Sequence, residues 1–359
     1  MSKKEMIRAI DVTRQEYDKD ISNFYHSMFI TSQWVSSLDV NPDVEIRYIH
    51  FVENDQVIGK ITGLVQKGTW FVNKFLFCYA APALVELDEE IYKKCMASLL
   101  SYARKNNLSK IDVYLYDQQY TFKCELKHYY PRKYLDFVRF FDYREETPVF
   151  KKSFMYNVRK AIKTGATFHA ENSERIINRL HELLAETKKL RDERYGGNYQ
   201  AYPYLFTSKE SFNRLFQTGI LSLYHVEIDG EVHCIRCALE KDKRMYGLMI
   251  ASDADAYKHS LQHFLQYNLI NLMHSKGYSY YNVAGSDYSE GGKSVSSYKE
   301  SLGCTSRRIF GAYTHFITFP RNMINPLMTL GLKMQKVPYL SRIVELGSKV
   351  ISGRYGLWD

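Results

Sequence analysis

The chain of 359 residues has no apolar run of the ~18 residues that a membrane span needs. Its first residues, Met1-Ser2-Lys3-Lys4-Glu5, lead into a polar segment without the apolar core of a secretion signal. A cytoplasmic address is expected, at the inner membrane surface if the tail described below touches lipid. Cysteine is sparse: six residues, at 78, 95, 124, 234, 237 and 304, lie scattered and mostly inside apolar runs. That excludes a disulfide framework and suits reduced thiols. Cys234 and Cys237 have C-x-x-C spacing, but no second ligand pair stands at a spacing suited to zinc. A redox motif would precede a helix, whereas this pair lies in a strand-like run. No metal is expected.

Several catalytic signatures are also missing. Gly291-Gly292-Lys293-Ser294 ends like a phosphate-cradling loop, but Asp287 stands where its first glycine belongs. His181-Glu182 begins like a zinc-protease helix, but Ala185 replaces the second histidine. Neither G-x-S-x-G nor G-x-G-x-x-G occurs, and no nucleophile triad assembles from local spacing. Asn107-Leu108-Ser109 is a glycosylation sequon only if the chain is secreted.

What is present is a globular mixture, 45% hydrophobic and 25% charged, long enough for about two domains. The net charge is +9 and there are 30 tyrosines. The charge suits an anionic partner such as nucleic acid, a phosphorylated substrate or a membrane surface; it also simply keeps a protein soluble. Many of the tyrosines fall in strand-like runs and are expected in sheets.

Helix and strand alternate. A hairpin is expected over 46–65, turning at Asn54-Asp55, followed by an apolar stretch at 70–79, a helix over 87–105 and a strand at 111–115. The order then recurs: strands at 221–228 and 231–239 around Asp229-Gly230, a strand at 244–250, a helix over 257–275 ended by Gly277, and a strand at 280–284. His50 falls on His225 and Val57 on Val232 at an offset of 175; Leu108 falls on Tyr278 and Ile111 on Tyr281 at 170. The pattern reads as an internal duplication of an α/β unit. By chain order the parts are 1–149, 150–319 and a tail, 320–359. Between the copies lie a basic stretch, 151–163, and a helix over 174–190. Met155, Val158 and Ile162 are expected to form the buried face of the basic stretch. In the tail, Leu340, Ile343, Val344, Gly347, Val350 and Ile351 form an apolar stripe suited to packing on protein or to peripheral membrane contact through 338–352.

An ordered set of segments in the second half carries a family resemblance. It comprises Asn157-Val158-Arg159-Lys160-Ala161-Ile162, the hairpin around Asp229-Gly230, the helix ending in Lys276-Gly277, the strand ending in Ala284-Gly285-Ser286, and Tyr298-Lys299-Glu300-Ser301-Leu302-Gly303. In this order they resemble the Fem-like branch of the GNAT superfamily, over roughly 150–315. That branch includes the aminoacyl-tRNA-dependent transferases that add residues to peptidoglycan precursors. The resemblance implies an α/β (α+β) fold of two tandem GNAT-like domains, with mixed sheets flanked by helices. It implies an N-acyltransferase that transfers an acyl group from aminoacyl-tRNA or acyl-CoA, with no tightly bound cofactor, to an amine on a small molecule or peptide. A cell-envelope precursor is one such acceptor. The alternative is a non-catalytic module of the same fold that binds an anionic ligand or tRNA.

By the same resemblance Lys299 matches the family's lysine and would hold a phosphate or the developing oxyanion; its bland reading is a solvated lysine. Arg159, Lys160 and Lys163 would meet a diphosphate or tRNA backbone, or else form a solvated helix face. Gly285 and Ser286 end a core strand at the cleft, and Tyr288 and Tyr298 would line it. Tyr281, His225 and His233 are expected to be structural. The aromatic loop Tyr195–Tyr204 reads as a lid or a plain surface loop. One departure stands out: the glycine-containing acyl-CoA loop should precede the helix at 257, and Ala251-Ser252-Asp253-Ala254-Asp255-Ala256 has no glycine. A pyrophosphate needs close backbone amides and would meet two carboxylates there.

Overall fold

The computed structural model describes residues 7–68, 72–195, 202–286 and 290–334. The chain divides into two units, Met1–Lys133 with Ile309–Asp359, and Tyr134–Arg308. The first contains β1 (Arg8–Asp11), α1 (Arg14–Asp18), α2 (Ser32–Ser36), β2 (Val44–Glu53), β3 (Gln56–Lys67), β4 (Lys74–Cys78), β5 (Ala83–Leu84), α3 (Glu89–Lys105) and β6 (Ile111–Val113). β7 (Tyr129–Phe140) passes into the second unit at Tyr134. There follow α4 (Lys152–Ile162), β8 (Thr167–Ala170), α5 (Glu174–Tyr195), α6 (Lys209–Gln217), β9 (Leu221–Ile228), β10 (Glu231–Lys241) and β11 (Arg244–Ser252). After them come α7 (Ala254–His259), α8 (Leu261–Ser275), β12 (Tyr280–Ser286), α9 (Glu290–Ser301) and β13 (Thr305–Thr314). From Ile309 on, β13 belongs to the first unit, as does α10 (Asn325–Met334).

In the first unit the strands lie in the order β1-β2-β3-β4-β6-β13, and in the second in the order β8-β9-β10-β11-β12-β7. Each sheet is antiparallel except for one central parallel pair, β4 with β6 and β11 with β12. The helix needed to cross between parallel strands is α3 in one unit and α8 in the other. α3 begins at Asp88, whose carboxylate accepts the Ile91 amide at 2.8 Å, and carries Glu89 and Glu90 in its first turn, Arg104 and Lys105 in its last. Cap and charges both favour a helix of that polarity. Its buried stripe, Cys95, Leu99 and Ala103, joins Ile49, Phe51, Ile61, Leu76 and Ile111 in the first core. Leu265, Leu269 and Met273 of α8 join Val226, Ala238, Met245 and Tyr281 in the second.

The duplication is repeated bond for bond. Ile49 faces Ile61 across β2 and β3, as Tyr224 faces Arg236 across β9 and β10, all at an offset of 175. α3 ends with the Leu108 amide on Ala103 O and α8 with the Tyr278 amide on Met273 O, both at 3.1 Å or less. The reversal is made by Asn107 at φ +53° in one copy and Gly277 at φ +74° in the other. The Ser109 hydroxyl then donates to Lys74 O at 2.9 Å, and the Ser279 hydroxyl to Lys243 O at 3.0 Å.

Some expectations change. The helix over 257–275 is two, because Ser260 at φ +61° breaks the ladder between α7 and α8. The buried face of α4 is Phe154, Val158 and Ala161, at i, i+4 and i+7, while Ile162 is exposed. β7, β8, β13 and α6 stand where the sequence pattern predicts no element. Among the described residues no helix is long and apolar enough to cross a membrane. The stripe 340–351 lies outside the described residues.

Candidate functional site

The two copies differ where their parallel strands end. In the first, hydrogen bonding continues past β6: the Tyr114 amide reaches Cys78 O at 2.7 Å and the Tyr116 amide reaches Tyr79 O at 3.1 Å. Rings fill the space beside it, with Phe29 stacked on Tyr116 at 5.1 Å and Trp34 edge-on to Tyr79 at 5.3 Å. In the second copy the parallel pairing stops at Tyr246 and Asn282. The Asn282 side chain accepts the Ala284 amide at 2.9 Å, Ala284 takes φ +64°, and β12 turns away through a bulge before rejoining β7 at Gly285 and Asp136. The carboxyl ends of parted parallel strands are where open α/β sheets bind ligands.

Lys299, near the end of α9, is buried against this turn. Its Nζ donates to Ala284 O at 2.8 Å and Gly285 O at 2.6 Å, and lies 5.4 Å from the Phe137 ring centroid. An ammonium has three donors, and among the described residues two of them are spent on these carbonyls. Burial, and then the charge of Arg236, pull the Lys299 pKa down to about 8. Gly285 is required here: a Cβ would come within 1.9 Å of the Tyr134 ring and 2.6 Å of Leu135 O. Asp136 is buried and accepts from Asn282 Nδ2 at 2.9 Å and Arg307 Nη2 at 3.2 Å. Burial pushes its carboxyl up, against the pull of Arg307.

Tyr298 lies on the same helix with its ring edge-on to His263 at 5.2 Å. Its hydroxyl is buried without a hydrogen-bond partner, and burial raises its pKa. Tyr281 is buried and donates to Gln266 Oε1 at 3.1 Å. For Ser286 the structure gives the backbone end of β12 only, and Tyr288 lies outside the described residues. Arg159, Lys160 and Lys163 are exposed on α4, and no described hydrogen bond or ion pair ties their side chains to the Lys299 cluster. Of the aromatic loop, 196–201 lie outside the described residues; Tyr202 bonds His181 Nδ1 at 2.7 Å, and Tyr204 is buried with its hydroxyl on Leu248 O at 2.8 Å. His233 is held by Asp253 at 2.7 Å and His225 is buried beside Glu227 at 3.1 Å. Cys234 and Cys237 are buried free thiols, and burial pushes Cys234 up to about 12.

The turn before α7 is filled by that helix's own cap. Asp253 Oδ1 accepts the Ala256 amide at 2.8 Å, while Oδ2 holds His233 and lies 3.7 Å from Arg179. The amide and the positive end of α7 are therefore already answered by a carboxylate.

Sequence reasoning missed Arg236, which stands in β10 between the two cysteines. It is 7% exposed, and its guanidinium carbon lies 5.8 Å from the Tyr281 ring centroid. The duplication carried a signal for it, because the position 175 residues earlier is Ile61, a core residue.

Residues 150–300 match the family model of an acetyltransferase (GNAT) domain. Among solved structures, FemX is similar with a TM-score of 0.66 at 14% identity, over 88% of this chain and 99% of that one. L-PGS from Bacillus licheniformis is similar with a TM-score of 0.55 at 15% identity, over 88% and 96%. A conserved protein of unknown function from Bacteroides thetaiotaomicron VPI-5482 follows with 0.50 at 13%, over 87% and 100%. At these identities the likeness is one of fold. No curated protein matches the chain.

Proposed function

We propose that the second unit, whose residues 150–300 match the family model of an acetyltransferase (GNAT) domain, transfers an acyl group from an aminoacyl-tRNA to an amine on a small molecule or peptide, such as a cell-envelope precursor. The family match supports acyl transfer, and the choice of donor is argued from the turn before α7. The observation that carries the reading is the parting of β11 and β12, braced by Lys299 on the Ala284 and Gly285 carbonyls, in the copy that matches the family.

In the reaction the amine nitrogen attacks the acyl carbonyl carbon, and the carbon–oxygen bond to the tRNA ribose breaks. The leaving oxygen takes up a proton and the nitrogen gives one up. The protein's work is to hold both reactants and to stabilise the charge that forms on the carbonyl oxygen. Lys299, beside the strand end, is assigned that stabilising role. Arg159, Lys160 and Lys163 are assigned to the donor's phosphates, as exposed cations on α4. The ester donor is preferred to acyl-CoA because the segment 251–256 has no glycine and the start of α7 is already capped by the Asp253 carboxylate.

The rival, a module that only binds an anion, is favoured by one observation: two of the three Lys299 donors are already spent on carbonyls. Incubation with charged tRNA, or with acetyl-CoA, and a panel of amines separates the two. A mass gain on an amine that requires donor and protein is the expected result; no gain with either donor leaves the binding module.

A further inference from the structure

Among the described residues Arg236 is a buried cation without a matching anion. Its Nε has no hydrogen-bond partner, and it makes no ion pair among the described residues. What faces it are the phenols of Tyr204, Tyr281 and Tyr298, and of these the Tyr298 hydroxyl is itself buried and unpartnered. Lys299 is near enough for the two charges to be felt. Among the described residues, one carboxylate of this cluster, Asp136, stands against Arg236, Lys299 and Arg307, and Arg307 already engages it at 3.2 Å. A guanidinium does not shed its proton to escape burial, so the described residues of the cluster carry an excess of positive charge where water hardly reaches.

The chain makes room for that charge. β10 and β11 slip register between Cys237 and Ala238, which brings Gly247 opposite Ala238. A Cβ at Gly247 would lie 1.6 Å from Arg236 Nη2, so the guanidinium occupies the space of a missing side chain. The first copy shows what the fold needs at this place when no charge is wanted. There Ile61 fills the equivalent position in an apolar core, facing Ile49 as Arg236 faces Tyr224. An arginine that makes no ion pair among the described residues, in the place of a core isoleucine, is costly for folding, and a ligand anion would supply the missing charge.

We propose that Arg236, with Lys299 and the Tyr298 hydroxyl, forms a buried receptor for an anionic oxygen group of the substrate, a phosphate or a carboxylate. The planar guanidinium offers two parallel donors that match either group. This deepens the acyl-transfer reading by assigning the site a charged substrate. It rests on that reading only for the site's location, since binding is measured without turnover.

The test is calorimetric titration of the full chain with inorganic phosphate, pyrophosphate and acetate at constant ionic strength, on the wild type, Arg236→Met and Gly247→Ala. The two phosphates and acetate distinguish the sources of the oxygen group. The wild type is expected to bind at least one of them. Arg236→Met is expected to weaken that binding about tenfold or more, and Gly247→Ala, which keeps the charge but displaces it, about threefold or more. Arg236→Met is also expected to melt no lower than the wild type, because an apolar chain replaces an uncompensated charge. A lower melting temperature for Arg236→Met would make Arg236 a structural residue stacked on tyrosine and overturn the proposal. So would unchanged affinity in both variants, or no binding of any of the three anions by the wild type. None of those results bears on whether the chain acylates amines, and a failed acylation assay leaves the titration unaffected.

Discussion

Lys299 and Gly285 sit at one turn and make opposite demands on it. Lys299 costs desolvation and returns two hydrogen bonds to the carbonyls of Ala284 and Gly285. Lys299→Met is expected to lower stability by about 1–3 kcal/mol by taking the ammonium donor from those carbonyls, measured by urea unfolding at pH 7. The same pair of proteins carries a pH signature. Because the folded pKa of Lys299, about 8, is below its ordinary value of 10.5, the unfolded chain holds more protons between those values. Wild-type stability relative to Lys299→Met should therefore rise with pH from about 8 to 10.5; a flat difference would mean that the lysine is not desolvated as described. Gly285→Ala sets a Cβ against the Leu135 carbonyl at 2.6 Å, where backbone cannot yield as a side-chain tip can. A loss of about 1–3 kcal/mol is expected, read from the same unfolding curves.

At the scale of elements the duplication supplies paired experiments. Gly277 and Asn107 end equivalent helices with positive φ, and a Cβ added at Gly277 would meet nothing within 4 Å, so only backbone conformation is at stake. Gly277→Ala should cost about 1 kcal/mol and Asn107→Gly should gain a few tenths; equal and opposite effects on melting temperature are not expected, since asparagine already tolerates the left-handed region. On α4, replacing Arg159, Lys160 and Lys163 together with alanine touches no buried contact. Stability should stay within about 0.5 kcal/mol. If α4 meets the donor, binding of tRNA should lose salt dependence, by a slope of roughly 0.7–0.9 per lost phosphate contact. An unchanged slope would return these residues to the solvated face.

For the molecule as a whole, the sequence was most readable where local chemistry and tertiary packing agree. The hairpins turning at Asn54-Asp55 and Asp229-Gly230, and the helices with apolar stripes, were visible from pattern alone. β7 and β13 were not, because their partners are distant in the chain. The charged residues of β7, among them Asp136 and Arg139, read as loop until the strand that pairs them is known. The break at Ser260 was hidden because apolar periodicity continues through it. In the site, Lys299 and Tyr298 were named from the resemblance, while nothing in its strand-like run singled out Arg236. Its burial and the space left by Gly247 show it turned into the protein. The two copies thus share a backbone plan but differ at the strand ends: the first closes its parallel pair with hydrogen bonds and rings, and the second leaves the pair parted beside Lys299.

The decisive measurement is donor-dependent acylation followed by mass spectrometry, with charged tRNA and acetyl-CoA tried separately against a panel of amines. The wild type should yield an acylated amine, with charged tRNA the better donor, and folded Lys299→Met should lose at least about 100-fold in rate. No product from either donor, or a Lys299→Met rate equal to that of the wild type, would contradict an acyl-transfer site at the parted strands of the second unit.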